Sequence, residues 1–462
     1  MSAVVLDGRS MRRAAIAAAT LVLATYLAFA GRATTNGLTA AAVAIGAVVF
    51  VPPILRDVGF GVALIPAVAA AVPFAIGTGT SSAVAGALVF ALVLVGIWFI
   101  RAMVRRDLRI ARSPINAPAV ALGLVWVLAL VNSDVERSPL VAVPDRWTFI
   151  QLGGLSVTLA SVAALWLALN AGRELRWIQV ATWSFLAIGA VYGLGYFLGV
   201  ESAVAFVAAN GMFTMWVVAL SYGQALFNQA LPRWLRGALL ILAAAWLYKA
   251  LILQNWFFSA WAGALVAILV VSFARSLRWG SVVLVAAAVV VWLNYDAVYE
   301  AVYGGAEQKG DFTRLNIWQN ASDLAARYPI LGTGPAGYAP YFQSMYADTG
   351  FAMSTHSNYW DLLLQTGLVG CVVFAWLIAT LLFVGWRACR RWRTGFAGGY
   401  AAAAVGGLVA LLLTMGMGDW FIPFVYNQTI EGFRHTVLSW VFLGLMGGLA
   451  IRADHQPSST PS

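Results

Sequence analysis

Charged residues are scarce in this chain of 462 residues: they make up 10% of it, against about 25% in a soluble domain. Hydrophobic residues make up 62%, and the mean hydropathy is +0.83. Apolar runs recur near the length of about 20 residues that crosses a bilayer. Because no water satisfies the backbone at that depth, such runs form helices. The composition excludes a soluble domain and predicts an all-α polytopic membrane protein.

Cysteine is equally scarce, since the chain has only Cys371, in an apolar run, and Cys389, in a basic cluster. The two cysteines suggest neither a disulfide framework nor a metal site. The sequence also lacks H-E-x-x-H and D-x-D motifs, and the first predicted outer loop, GRATTN, has no acidic residue. Without a carboxylate cluster for a divalent ion, the sequence predicts chemistry that needs neither a metal nor a cofactor.

Breaks at charged residues, glycine, proline and asparagine divide the chain into about 14 transmembrane helices, with a range of 12–14. The predicted spans are 14–30, 37–54, 59–76, 82–104, 116–132, 148–171, 177–198, 203–228, 236–253, 256–274, 280–294, 359–385, 397–417 and 435–451. The first is interpreted as an uncleaved span rather than a signal peptide, because it is long for a signal sequence. Only LQNW separates the pair at 236–274.

Alternate connecting segments hold most of the 28 basic residues, and the others hold most of the 18 acids. The positive-inside rule then predicts that both termini are cytoplasmic. The predicted organisation is a bundle of the first eleven or so spans (1–294), one large outer loop (295–358), the last three spans (359–452) and a cytoplasmic tail (453–462).

The outer loop is far longer than a simple connection and rich in aromatic residues, which is typical of a functional loop. Its stretch DFTRLNIWQNASDLAARYP predicts a short helix, capped by Asp311 or Thr313 and ending before Pro329. One face of this helix is apolar at helical spacing and is expected to rest on the bundle or the membrane interface. Arg314, in the first turn, is then held near the outer surface.

Three features have competing interpretations. Gly332, Gly334 and Gly337 form G-x-G-x-x-G, but a helix and a proline precede it where the dinucleotide fingerprint needs a strand; a tight turn against a ligand or the bundle is favoured. Lys249 lies inside AAAWLYKALIL, so it is either a site residue or a lysine reaching the outer headgroups. His356, in STHSNYW, is either an active group or an interfacial histidine that helps to cap the twelfth span.

The motifs RLNIWQNA, YPILGTGPAGY and THSNYWDLLLQTGLVG follow one another between Arg314 and Gly370. In order, spacing and predicted side, they resemble the O-antigen ligase and O-antigen polymerase superfamily. One departure is that FFSAWAGALVAIL has Ala260 where the family often carries an arginine. The resemblance covers roughly an eighth of the chain in motif detail, and the many-span architecture covers the rest.

The resemblance implies a metal-independent, inverting glycosyltransferase of the bacterial inner membrane. Its donor would be an oligosaccharide linked to a polyprenyl diphosphate such as undecaprenyl diphosphate, and its acceptor would be a glycan or a lipid core. His356 matches the family's essential loop histidine and Arg314 its diphosphate-binding arginine. Asp419, in GMGDWFIPF, resembles an acidic residue of the ligases. The other residues expected to bind the donor are Lys249, Arg434, Asn358 and Tyr338.

The chemistry of the two main candidates agrees with this. Arginine stays charged and its planar fork suits phosphate oxygens, so Arg314 can stabilise a departing diphosphate. Histidine titrates near neutrality, so His356 can accept the proton of an acceptor hydroxyl or, as a cation, contact the diphosphate. The alternative function is a lipid-linked-glycan transporter or flippase without catalysis. A metal-dependent polyprenyl-phosphate sugar transferase is disfavoured by the acid-free first loop. Nothing in the sequence suggests a nucleic-acid partner.

Overall fold

The computed structural model of the chain describes residues 49–77, 82–106, 110–254, 258–296, 299, 314–345, 355–423 and 429–454. Within these ranges the chain is predominantly helical. After a helix at 49–56, the elements are α1 Val58–Ala71, β1 Ala75–Gly77, β2 Ala83–Ala85, α2 Gly86–Val104, α3 Asn116–Val135, α4 Trp147–Ala171, α5 Leu175–Phe197, α6 Glu201–Val204, α7 Gly211–Phe227, α8 Arg233–Tyr248, a π-helix Lys249–Leu253, α9 Phe258–Arg275, α10 Leu277–Leu293, α11 Arg314–Arg327, α12 Tyr338–Met345, α13 Asn358–Arg391, α14 Gly395–Thr414, a 3₁₀ turn Ile430–Gly432 and α15 Phe433–Asp454.

Eight of the described helices are long and apolar enough to cross a membrane: α2, α3, α4, α5, α8 with its π-helix, α13, α14 and α15. Four shorter apolar helices, α1, α7, α9 and α10, accompany them. These helices confirm a polytopic, mainly helical membrane protein, and each overlaps a predicted span. The predicted span 14–30 and most of 37–54 fall outside the described residues. The total of fourteen and the outward side of the loop therefore stay predictions.

The centre of the bundle is built from helices rich in small residues. In α15, 89% of the apolar window is buried, and in α14 78%, compared with 28% in α2. Small residues let helix backbones approach closely where lipid provides no hydrophobic driving force. A Cβ on Gly223 of α7 would meet the Gly399 carbonyl oxygen of α14 at 2.5 Å. These two helices therefore pack backbone to backbone at this point.

A short antiparallel hairpin replaces the predicted ends of the third and fourth spans. The prediction put helix at 59–76 and 82–104, but α1 ends at Ala71 and α2 begins at Gly86. Between them Ala75 pairs with Ala85 and Gly77 with Ala83. Proline, glycine, threonine and serine are concentrated in VPFAIGTGTSS and are poor helix formers, which is why the helices stop early.

Two further boundaries differ in detail. The spans predicted at 236–253 and 256–274 are separate helices, as expected, but α8 finishes in the π-helix that starts at Lys249. The span predicted at 359–385 continues to Arg391 and is interrupted at Gly367, where the backbone is not helical. This interruption matters for the site.

Candidate active site

His356 lies in the tight polar turn that leads into α13. Its backbone is in the left-handed region, with φ of 52°, which histidine tolerates better than most non-glycine residues. The backbone N–H of Ser357 donates to the Thr355 hydroxyl oxygen at 3.2 Å and closes the turn. Thr355 and Ser357 are buried, whereas His356 is half-buried. The turn therefore fixes the backbone of a histidine that keeps some access to its surroundings.

Helix α11 is bonded to this turn. The indole nitrogen of Trp318 donates to the Thr355 carbonyl oxygen at 3.0 Å. Ala321 and Leu324 belong to one buried cluster with Tyr338 of α12, which confirms the predicted helix and much of its apolar face. The helix starts at Arg314, one turn before Trp318. The Arg314 side chain, the predicted caps and residues 300–313 and 346–354 of the loop lie outside the described residues.

The glycine turn is inserted against the interruption of α13. The backbone N–H groups of Thr333 and Gly334 donate to the carbonyl oxygens of Leu364 and Gln365, at 2.8 and 3.1 Å. In return, the N–H of Leu368 donates to the Pro329 carbonyl oxygen at 2.8 Å. Backbone groups released by a broken membrane helix need such partners. The sequence predicted a tight turn against either a ligand or the bundle. The described hydrogen bonds of the turn are with α13, which belongs to the bundle.

Glycine is required at the closest approaches. Gly367 has φ of 62°, and a Cβ there would collide with the Ile330 carbonyl oxygen. Gly332 has φ of 67°, and its Cβ would lie 2.5 Å from the Leu364 carbonyl oxygen. Only glycine adopts this backbone without a steric penalty. The two glycines therefore allow a loop and a broken helix to share hydrogen bonds.

Asn358 holds the last loop, residues 415–423, against the start of α13. Its side-chain nitrogen donates to the Ile422 carbonyl oxygen at 2.6 Å, and its oxygen accepts from the N–H groups of Phe421 and Ile422 at 2.8 and 3.1 Å. Its own backbone N–H donates to the Met415 carbonyl oxygen. Asn358 is fully buried. The side chain is thus engaged in binding the protein's own backbone.

A buried polar cluster joins these segments: Tyr338, Thr355, Asp361 and Asp419. The Thr355 hydroxyl donates to Asp361 Oδ1 at 2.6 Å, and the carboxyl group of Asp419 lies next to that of Asp361. Tyr338 is 1% exposed. Burial raises the pKa of the Tyr338 hydroxyl well above its usual value, and the nearby carboxyl groups of Asp361 and Asp419 raise it further. Tyr338 therefore stays a neutral hydroxyl beside two carboxyl groups.

Lys249, the first residue of the π-helix, lies among aromatic rings of α5 and α8. Its ammonium nitrogen lies 4.8 Å from the ring centre of Tyr196 and 5.3 Å from that of Trp246, and it donates to Gln254 Oε1 at 2.9 Å. Lys249 is 3% exposed. Ala260, the position of the missing arginine, packs in one cluster with Ala250, the next residue after Lys249. Lys249 is therefore a near neighbour of that position.

Arg434 lies at the start of α15. Its Nε donates to the Ala69 carbonyl oxygen at 3.3 Å, and Nη1 contacts Glu431 at 3.5 Å. Nη2 is buried and has no hydrogen-bond partner among the described residues. These contacts tie α15 to the end of α1.

Sequence reasoning missed Asp361 and Thr355, although both belong to the polar cluster. The signal for Asp361 was present, because a carboxyl group inside an apolar run marks a functional site by default. Lys249 is the residue that the same rule singles out in the sequence. Thr355 offered no such signal, since a threonine before a helix is ordinary. Its role follows from the 2.6 Å hydrogen bond to a residue six positions later.

Comparison with known families gives one match. Residues 234–375 match the family model described as O-antigen ligase. The matched range starts at the beginning of α8, includes Lys249, α11, the glycine turn and His356, and ends within α13. Asp419 and Arg434 lie beyond it. No curated protein matches the chain significantly.

Proposed function

Because residues 234–375 match the family model described as O-antigen ligase, we propose that the chain is a metal-independent, inverting glycosyltransferase. It takes a glycan from a polyprenyl-diphosphate carrier at the outer face of a bacterial inner membrane, with both chain termini in the cytoplasm. The observation that carries the proposal is the bond from Trp318 to Thr355. It brings the helix that begins at Arg314 to the residue preceding His356, as a two-group site requires.

The proposed roles follow from charge development. As the glycosidic bond breaks, the diphosphate gains negative charge, and the guanidinium of Arg314 stabilises it without needing a metal ion. The acceptor hydroxyl loses its proton while it attacks the anomeric carbon from the opposite face. His356 takes that proton as a general base, or its cation adds a second contact to the diphosphate. Positioned donors of this kind act most strongly where water is excluded.

The remaining predicted residues enter with different roles. Asn358, Tyr338 and Asp419 are buried. Their role is to support the loops around the site from inside the protein. Lys249 adjoins Ala250, which packs in one cluster with Ala260, so we assign to Lys249 the diphosphate contact that the missing arginine would make. Arg434 lies beside α1. Its proposed role is to contribute positive charge at the end of the bundle that holds the site, without direct contact with the diphosphate.

The test is an assay of purified protein with a polyprenyl-diphosphate oligosaccharide and an acceptor. Arg314→Ala is compared with Arg327→Ala, an exposed arginine at the other end of α11. His356→Ala is compared with His356→Gly, because glycine accepts the left-handed backbone without strain. We expect His356→Gly to lose about 10²- to 10⁴-fold in rate and Arg327→Ala to keep its activity. Full turnover by His356→Gly and Arg314→Ala would refute the site.

Two conditions sharpen the mechanism. A general base acts in its neutral form, so the rate should fall as the pH drops below neutrality; a cationic diphosphate contact predicts a fall on the alkaline side. Activity should survive chelation, and a loss restored by a divalent ion would contradict the metal-free mechanism. Offering a second lipid-linked glycan or a lipid core as the acceptor separates a polymerase from a ligase, since the two share the donor.

The interruption of α13 is the observation that favours a transporter, because transport sites are commonly built at broken helices. Here the released backbone groups are bonded to the segment 329–334, which leaves them unavailable to a substrate. Lipid-linked glycan flipping in proteoliposomes, without product formation, would support the transporter instead.

A further inference from the structure

Asp361 is a carboxyl group in the first turn of a membrane helix, and it is 1% exposed. One oxygen, Oδ1, accepts the Thr355 hydroxyl at 2.6 Å. The other, Oδ2, is buried and has no nitrogen or hydroxyl partner among the described residues. The carboxyl group of Asp419 lies next to that of Asp361. Asp361 thus stands between the His356 turn and the last loop.

The chemistry of that contact determines its protonation. Two ionised carboxylates offer acceptors only and cannot hydrogen-bond to each other. Two carboxylates that share a buried site also repel each other, which favours the form in which one of them holds a proton. The pair therefore carries one proton between its oxygens. Since Oδ1 of Asp361 already accepts from Thr355, an O–H on Oδ2 that donates to Asp419 satisfies both ends of the side chain.

We propose that Asp361 is a positioning residue for His356: its protonated carboxyl links the Thr355–Ser357 turn to Asp419 and so fixes where the imidazole stands. The link has three described elements, which are the Thr355–Asp361 hydrogen bond, the Asp361–Asp419 contact and the Tyr338 hydroxyl packed beside both carboxyl groups. This inference rests on the proposed function, since it assigns Asp361 to the turn that carries the reacting group.

A positioning role predicts a specific pattern of variants. Asparagine matches a protonated carboxyl, because its oxygen accepts from Thr355 and its amide donates to Asp419. Asp361→Asn should therefore keep kcat close to the wild-type value. Asp361→Ala removes the link, and because a misplacement of about 1 Å can cost about 100-fold, kcat should fall by about that factor with KM little changed. Thr355→Val should lower kcat in the same direction but less.

The controls are Asp323→Ala and Asp323→Asn, which change an exposed carboxyl group on α11; both should keep wild-type kcat and KM. The folded fraction is measured for every variant by size exclusion and thermal unfolding, and kcat is corrected for it. If Asp361→Ala does not fold, Asp361→Asn and Thr355→Val decide the matter. Unchanged kcat in Thr355→Val, or a loss in Asp361→Asn as large as in Asp361→Ala, overturns the inference.

The two hypotheses fail in different ways. If His356→Gly turns over donor at the wild-type rate, the proposed function is wrong and Asp361 has no reacting group to position. If His356→Gly is inactive while folded Asp361→Ala and Thr355→Val keep the wild-type kcat, the proposed function stands and only the role of Asp361 is lost.

Discussion

Gly367 divides α13 into a short first half and a long second half. The two form one apolar run in the sequence but have different roles in the structure. The first half, 358–366, buries polar side chains: Asn358, Asp361, Gln365 and Thr366. The second half, 368–391, turns large apolar side chains outward, with Leu368 57% and Val372 68% exposed. A lipid-facing helix needs only apolar cover, whereas the first half carries hydrogen bonds that hold three loops. The comparison shows that a membrane helix can change function within a single turn.

Substitution of Gly367 should have the largest effect, because it disturbs the point where the two parts of α13 meet. Gly367→Ala forces an alanine into φ of 62° and into the Ile330 carbonyl oxygen. The backbone conformation alone costs about 1–3 kcal/mol, and the displaced segment loses hydrogen bonds, so we expect little folded protein. Gly96→Ala is the control, because nothing lies within 4 Å of its Cβ position. Equal yields and melting temperatures for the two variants would contradict this account of the interruption.

Asn358→Ala, a substitution in the first half of α13, should cause the next largest loss of stability. It leaves two N–H groups and one carbonyl oxygen of the last loop without their partner. Leaving a buried group unpaired costs about 1–3 kcal/mol, so thermal unfolding should show a loss of at least about 2 kcal/mol. Thr380→Ala, which removes only a local hydrogen bond to Trp376 in the second half, is the matched comparison and should lose much less.

Trp318→Phe tests whether α11 helps to position the site residues in addition to stabilising the fold. Phenylalanine keeps most of the packing but removes the donor to the Thr355 carbonyl oxygen. We expect about 1 kcal/mol of lost stability together with a lower kcat in the donor assay. A stability loss with unchanged kcat would mean that the helix does not help to place Arg314 and His356.

Tyr338→Phe should change the pH dependence of stability. The pKa of Tyr338 is raised in the folded state, while in the unfolded chain it is about 10. The unfolded state therefore releases its proton first, and the stabilisation present below about pH 10 is lost as the pH rises further. Above about pH 10 the free energy of unfolding should therefore fall faster for the wild type than for Tyr338→Phe. The difference should be up to about 1.4 kcal/mol per pH unit. Parallel curves from chemical unfolding at pH 9–11 would be inconsistent with the raised pKa.

Val372→Ala in the second half should have the smallest effect. The side chain is 68% exposed and its loss removes little packing inside the protein. The change in unfolding free energy should stay within about 0.5 kcal/mol, and donor turnover should not change. A larger loss, measured as above, would show that this half packs against a further partner.

Much of the fold was predictable because it depends on local properties. Runs of apolar residues of membrane length predicted each described long helix, and the periodicity before Pro329 predicted α11 almost to the residue. The hairpin at 75–85 was missed, because its alanine and valine residues are equally compatible with a helix. Gly367 was not recognised as a break, because membrane helices contain many glycines and nothing local distinguishes this one.

The candidate site was predictable only in part. Motif order drew attention to His356 and Arg314, and the rule on ionisable residues in apolar runs would have identified Asp361. The contact of Asp361 with Asp419 joins residues far apart in the chain, and so does the bond from Trp318 to Thr355. Such contacts depend on how helices and loops meet, and local sequence does not encode them.

By itself, therefore, the sequence determined the membrane environment, the helical class, the family resemblance and the presence of a conspicuous histidine before α13. These follow from composition, run length and short motifs, which act locally. Only the tertiary structure decided that α13 is interrupted, that its first half is polar and buried, and that Asp361 and Asp419 meet beside the His356 turn. The physical reason is that burial and hydrogen-bond pairing are properties of segments brought together, and they exist only once the chain has packed.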